Sequence, residues 1–153
     1  MDIEIDVREL AAMAKNYAGA QAIVTDELGK GLRRGGELIR NDAIRLVPVD
    51  TGRLKGSIRV EAPMRVGDAV VVKVGPQGVK YARYVEFGTR PHFVPFKYIG
   101  PWMSRHGIGG KGIYVSGKPR PYLVPAFEMN KLRAAQFVRQ AAVNAMRRIG
   151  GGR

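Results

Sequence analysis

The chain has 153 residues, 26 of them Lys or Arg against 13 Asp or Glu, and 45% are hydrophobic, enough to bury a core and too many for a chain disordered by composition. The absence of cysteine excludes a disulfide scaffold, a thiolate zinc site and a cysteine nucleophile. Met1-Asp2-Ile3-Glu4 has the wrong sign for a signal peptide, and no apolar run approaches the ~20 residues of a membrane helix, so the expectation is a soluble protein made in a cytoplasm, with no membrane partner.

Asp6-Val7-Arg8-Glu9 has the form of a helix start, and Leu10, Met13, Ala14 and Tyr17 follow at helical spacing. A second, long helix is expected from the stripe Val24, Leu28, Leu32, Ile39, Ala43 and Leu46, ending before Pro48. Gly29, Gly31, Gly35 and Gly36 interrupt the stripe at about 1 kcal/mol each relative to Ala. Either the helix breaks near Gly29, or packing offsets that cost. Gly31 and Gly35, one turn apart, would then let another backbone approach closely.

From residue 54 the period shortens. Leu54, Ile58 and Val60 lead into a strand, Val66-Gly67-Asp68 makes a turn, and Ala69 to Val74 reads as a buried strand. After Gly75-Pro76-Gln77-Gly78, Val79 to Phe87 is expected as a third strand, or a strand running into a turn, of a small antiparallel meander. Residues 91–118 are rich in Gly, Pro and aromatics and lack a period, which predicts a projecting arm or hairpin with a glycine-rich tip. Pro125 is expected to open a C-terminal helix whose stripe is Leu132, Ala135, Val138, Ala142, Ala145 and Ile149, with a flexible tail over 150–153. The sum is one α+β domain over 1–153: long N-terminal helix, small sheet, aromatic and basic arm, C-terminal helix.

The charge is asymmetric. Residues 1–46 hold 7 basic and 8 acidic residues, whereas residues 73–153 hold 15 basic residues against Glu86 and Glu128 alone. This predicts a polyanionic partner, or neighbouring acidic subunits, rather than a merely solvated face. Lys97, Arg105, Lys111, Lys118, Arg133, Arg139, Arg147 and Arg148 are the candidate DNA-facing residues, for non-specific phosphate contact without base readout. Phe93, Phe96, Tyr98, Trp102 and Tyr114 are the candidate arm interface, since aromatics are enriched in interface cores.

No catalytic constellation can be assembled, so neither an enzyme nor a cofactor or metal is expected. His92 and His106 lack metal-type spacing, and Asp50, Glu86 and His92 fit no local nuclease motif. Gly107-Ile108-Gly109-Gly110-Lys111-Gly112 lacks the Ser or Thr that follows Lys in a phosphate loop.

Two stretches carry a resemblance. One is Pro48-Val49-Asp50-Thr51-Gly52-Arg53-Leu54-Lys55-Gly56-Ser57-Ile58; the other is Tyr81-Ala82-Arg83-Tyr84-Val85-Glu86-Phe87-Gly88-Thr89, followed later by Pro121 to Pro125-Ala126. Together, over roughly 20–148, they resemble the tail-component family of long-tailed bacteriophages and prophages, with 91–118 as a departure from its shorter connection. The resemblance implies a virion protein of the head–tail junction or tail, assembled in the bacterial cytoplasm. It implies a tail-completion or neck role as a homo-oligomeric ring, a hexamer in line with tail symmetry, contacting head-closure, tail-terminator or tail-tube proteins and phage DNA. The alternatives are a tail terminator and an independent non-specific nucleic-acid-binding protein. As fold and interface residues the motifs offer Pro48, Asp50, Thr51, Gly52, Leu54, Ser57, Tyr81, Ala82, Glu86, Gly88, Thr89, Pro125 and Ala126. Asp50 and Thr51 suit a capped turn, Gly52 and Gly88 suit sharp backbone, and Glu86 is expected to meet Arg53, Arg83, Arg120 or a neighbouring subunit's Arg.

Overall fold

A helix with four glycines in eight residues survives only if something fills the space those glycines leave. In the computed structural model, which describes residues 2–5 as backbone and residues 19–150 in full, α1 runs unbroken over Ala20–Leu46. A Cβ on Gly31 would stand 2.8 Å from Ala141 Cβ and from the Phe137 carbonyl, and one on Gly35 would stand 2.8 Å from Ala134 Cβ. Gly29 and Gly36 serve another face. Their Cβ positions meet Pro63 and the side chains of Val60, Val72 and Val74. α1 is thus the middle layer between a sheet and the C-terminal helix, and the expected break near Gly29 does not occur. The candidate helix over residues 6–17 lies outside the described residues.

The described parts of Met1–Val79 and Tyr122–Arg153 form one compact unit, and Lys80–Pro121 forms a second. In the first unit the sheet centres on β4, Ala69–Pro76. β1, Asp2–Ile5, pairs antiparallel with one edge of β4, a strand that the sequence reading did not anticipate. On the other edge lie β2, Ile58–Val60, and β3, Met64–Val66, in succession. Val60 opposes Val74 and Met64 opposes Val71, so Glu61, Ala62 and Pro63 face only Val72 and Lys73. This is a bulge, where a proline costs no ladder bond, and it aims Pro63 at Gly29. The expected meander is therefore corrected to one interrupted hairpin plus β1. Gly67, at φ 60°, makes the expected turn.

Two further elements differ from expectation. Residues 53–57, read as the approach to a strand, form the short helix α2, Arg53–Ser57. In the second unit Ala82–Phe87, read as strand, is the helix α3. Its buried positions Ala82 and Glu86 are four residues apart, a helical spacing that overrode the β-leaning aromatic content. Gly88, at φ 74°, follows it.

The C-terminal helix α5, Leu123–Gly150, starts two residues before Pro125 and runs antiparallel to α1. Its buried line is Ala126, Asn130, Ala134, Val138, Ala141 and Ala145. Leu132, assigned to the core by the sequence pattern, is 77% exposed. Small side chains won the inner face because two helix backbones in close approach have no room for larger ones. The residues after Gly150 lie outside the described chain.

The second unit is built on the antiparallel pair of β5, His92–Pro95, and β6, Gly112–Val115, with α4, Phe96–Arg105, between them. Its two ends are tied together. Thr89 N donates to the Gly117 carbonyl at 2.9 Å, Gly117 N donates to Thr89 Oγ1 at 3.2 Å, and Arg120 N donates to the Val85 carbonyl at 2.8 Å. A Cβ on Gly88 would strike the Gly117 carbonyl at 2.6 Å.

Gly31→Ala and Gly35→Ala should each lower stability by about 1–3 kcal/mol through overpacking. Gly56→Ala, at a position open to solvent, should be neutral or stabilising by about 0.4–1 kcal/mol. Thermal or urea denaturation followed by circular dichroism measures all three.

Candidate interaction surfaces

The first motif builds a corner between α1 and β2. Val47 N donates to the Ala43 carbonyl and ends α1, and Pro48 follows half-buried. Thr51 Oγ1 accepts from Arg53 N at 3.5 Å, and Gly52, at φ 77°, leads into α2 with its carbonyl accepting from Gly56 N at 2.8 Å. Leu54 is buried, and Ser57 Oγ donates to the Leu54 carbonyl at 2.7 Å. Gln77 N then donates to the Ser57 carbonyl, and Arg40 Nε of α1 donates to the Ile58 carbonyl at 3.1 Å. Asp50 is exposed on this corner. These contacts fasten the helix end to the sheet.

In the second motif Ala82 and Glu86 are buried, whereas Tyr81 and Tyr84 of the same stretch are exposed. Gly88 and Thr89 close the base of the 80–121 unit through the Gly117 contacts given above. Pro125 is half-buried in the first turn of α5 and Ala126 is fully buried.

A polar network joins the helices at both ends of their contact. Asn130 Nδ2 donates to Asp42 Oδ2 at 2.5 Å and to the Ala126 carbonyl at 2.9 Å, and Arg45 pairs with the same Asp42. At the other end Arg148 of α5 reaches Glu27 at 2.7 Å and Asp26 at 3.1 Å, and Lys30 bonds both carboxylates. Hydrogen bonds from Lys30, joined by Arg148, hold the Asp26 and Glu27 carboxyls below their ordinary values. Glu27 raises Arg148 in return, and Asp26 raises Lys30. Arg148, offered by the sequence as DNA-facing, is engaged in this clamp. Arg133, Arg139 and Arg147 are exposed on α5.

In the second unit Lys97, Arg105, Lys111 and Lys118 are all exposed. So are Phe93, Phe96, Tyr98 and Tyr114, together with Tyr81, Tyr84 and Phe87 of the preceding stretch, which makes seven exposed aromatics in one unit. Phe93 and Tyr114 form a cross-strand pair with ring centroids 5.3 Å apart, and Lys97 Nζ lies 4.8 Å from the Tyr98 ring centre. Trp102 is half-buried, stacked on His106 at 4.4 Å. The ring Nδ1 of His106 lies 2.8 Å from the Trp102 carbonyl, and that of His92 lies 2.8 Å from the Arg90 carbonyl. A carbonyl only accepts, so both nitrogens are donors there. Among the described residues no group of three or more His, Asp or Glu converges as metal ligands. The glycine segment 107–112 follows a helix and precedes a strand, the reverse of a phosphate loop's order.

The sequence pattern missed a second surface. On α5, Met129, Leu132, Val143 and Met146 are exposed on the side opposite the buried alanine line. Their spacings of 3 and 11 residues were visible in the sequence, but nothing there distinguishes an outer apolar face from an inner one.

The described architecture is a glycine-bearing helix packed between a small sheet and a basic C-terminal helix, with exposed apolar, aromatic and basic side chains on α5 and in the 80–121 unit. A family model described as "Bacteriophage HK97-gp10, putative tail-component" matches residues 8–88. The chain belongs to this phage tail-component family. The match takes in both the Pro48–Ile58 and the Tyr81–Gly88 stretches and stops before the 91–118 segment and α5. Searches of curated proteins and of solved structures found no match. No described helix is long and apolar enough to cross a membrane.

The clamp gives a pH prediction. Asp26 and Glu27 have ordinary values of 3.8 and 4.5 and are lower in the folded chain. Their stabilisation is therefore complete above the unfolded values and is lost as pH falls through the folded ones. The melting temperature should drop on acidification across that window, and it should drop less steeply in Glu27→Gln. The difference should be small, because the partners are largely exposed.

Proposed function

We propose that the chain is a ring-forming tail-completion or neck component of the virion, placed where head and tail join around the DNA exit path and assembled in the bacterial cytoplasm. Membership of the phage tail-component family supports the virion setting. The observation that carries assembly is the outer face of α5, where Met129, Leu132, Val143 and Met146 stand 41–77% exposed on a long helix already packed on its other side. A helix with two apolar faces needs two partners.

The interface is heterologous. Two copies of this face set against each other would oppose Lys131, Arg133, Arg139 and Arg147 to themselves, so the face docks on a different surface of the next subunit; such contacts form a ring when the rotation between subunits closes and a filament when it does not, and the family's tail setting favours the ring. The resemblance in the motifs favours six subunits. Chemistry plays no part in this role: the folded core presents complementary faces, and head-closure, tail-terminator or tail-tube proteins cap the ring.

Negative-stain microscopy and mass photometry of the purified chain, alone and with its neighbouring virion proteins, test the proposal. A closed ring of about six copies is expected. Leu132→Asp with Met146→Asp should abolish it while leaving the circular dichroism spectrum unchanged. A chain that stays monomeric in every mixture and is absent from purified particles overturns it.

A further inference from the structure

We propose that the 80–121 unit is a nucleic-acid contact module, taking phosphates on its lysines and arginines and stacking unpaired bases on the Phe93–Tyr114 ribbon and on Tyr98. The inference goes beyond ring assembly and is tested without it.

Three observations carry it. The first is charge. Lys80–Pro121 contains eight Lys and Arg, all exposed, and one acid, Glu86, which is buried. Arg105 and Glu86 are engaged, and the other seven cations leave the unit strongly positive, which favours an external polyanion.

The second is that a further copy of this chain is a poor source of that polyanion. Seven carboxylates between residues 19 and 150 already have a partner in their own chain. Asp26 and Glu27 are held by Lys30 and Arg148, Glu37 by Arg40, Asp42 by Arg45, Asp68 by Arg65 and Glu128 by Lys131. Glu61 accepts from Gln77, and Asp50 and Glu86 are engaged as well. Docking two 80–121 units would set like charges together.

The third is the arrangement of the aromatics. In the β5–β6 ribbon Phe93 and Tyr114 are directly opposed, on one face, 46% and 82% exposed. Gly112 fixes the Phe93 ring. A Cβ there would lie 2.6 Å from the ring's Cζ and 2.4 Å from the Val94 carbonyl, and the backbone sits at φ 153°, open to glycine alone. The ring thus lies down over the ribbon and braces Tyr114, giving a preformed π surface. Tyr98, 70% exposed, carries the Lys97 ammonium 4.8 Å from its ring centre, so a base-stacking surface and a phosphate-binding cation sit side by side. A basic surface with aromatic faces suits single strands, because duplex bases are stacked on one another and present no free face. Stacking contributes about 1–3 kcal/mol per base, a factor of about 5 to 150 in affinity.

The test is fluorescence anisotropy of the full chain with a labelled oligothymidylate and with a labelled duplex of equal length, over a salt series. The single strand should bind more tightly than the duplex. Tyr114→Ala should weaken single-strand binding at least about 5-fold and leave duplex binding within about 2-fold. The triple variant Lys97→Ala, Lys111→Ala, Lys118→Ala should lower the salt slope by about 2. The α5 triple variant Lys131→Ala, Arg133→Ala, Arg139→Ala removes equal charge and should change the slope by less than half as much. Circular dichroism checks the fold of each variant. Equal losses from the two triples would show bulk charge alone and overturn the proposal, as would indifference to Tyr114→Ala. Failure to bind either oligonucleotide at low salt would overturn it in favour of an acidic protein partner. Ring formation is scored on separate samples, so neither result decides the other.

Discussion

The contact between Gly31 and Gly35 of α1 and Ala134 and Ala141 of α5 is the constraint on which the rest of the structure depends. It brings two long antiparallel helices together with little but backbone and methyl groups between them. Close approach maximises dispersion contact along the seam and offsets the helix-propensity cost of the glycines. It also leaves α1 free to turn Gly29 and Gly36 toward the sheet, so one helix serves two interfaces. The polar pairs Asp42–Asn130 and Glu27–Arg148 sit toward opposite ends of the seam and fix its register, since a slide of one turn would part both.

That register has consequences for function. With Ala126, Ala134, Ala141 and Ala145 on its buried side, α5 turns Met129, Leu132, Val143 and Met146 outward, the face on which the proposed assembly rests. The corner built from Pro48 to Ser57 holds the sheet to α1, and the Gly88–Thr89 latch gathers the ends of 80–121. Both family motifs therefore work as fasteners, and the surfaces proposed to meet other molecules lie largely outside them: on the outer side of α5 and on the ribbon of 80–121. The family match ends at Gly88, so most of the basic and aromatic 80–121 unit and all of α5 lie beyond it.

The division of charge follows the same logic. The acids of α1 are consumed by intrachain pairs, so the excess of cations accumulates in residues 73–153, whose acids are Glu86 and Glu128 alone.

The sequence alone determined the α+β class, the Gly67 turn with the strand after it, the C-terminal helix and the family, and it offered an unbroken first helix with a close approach at Gly31 and Gly35 as one of two readings. These rest on local period, turn chemistry and motif spacing, which are properties of neighbouring residues. Only the tertiary structure decided that Tyr81–Phe87 is largely helix, that residues 2–5 complete the sheet, that Leu132 faces outward and that Arg148 is bound to Glu27. Each depends on what lies across the fold. Alanine and leucine carry the same apolar mark along a chain, and only the distance to the facing backbone chooses which of them fits inside.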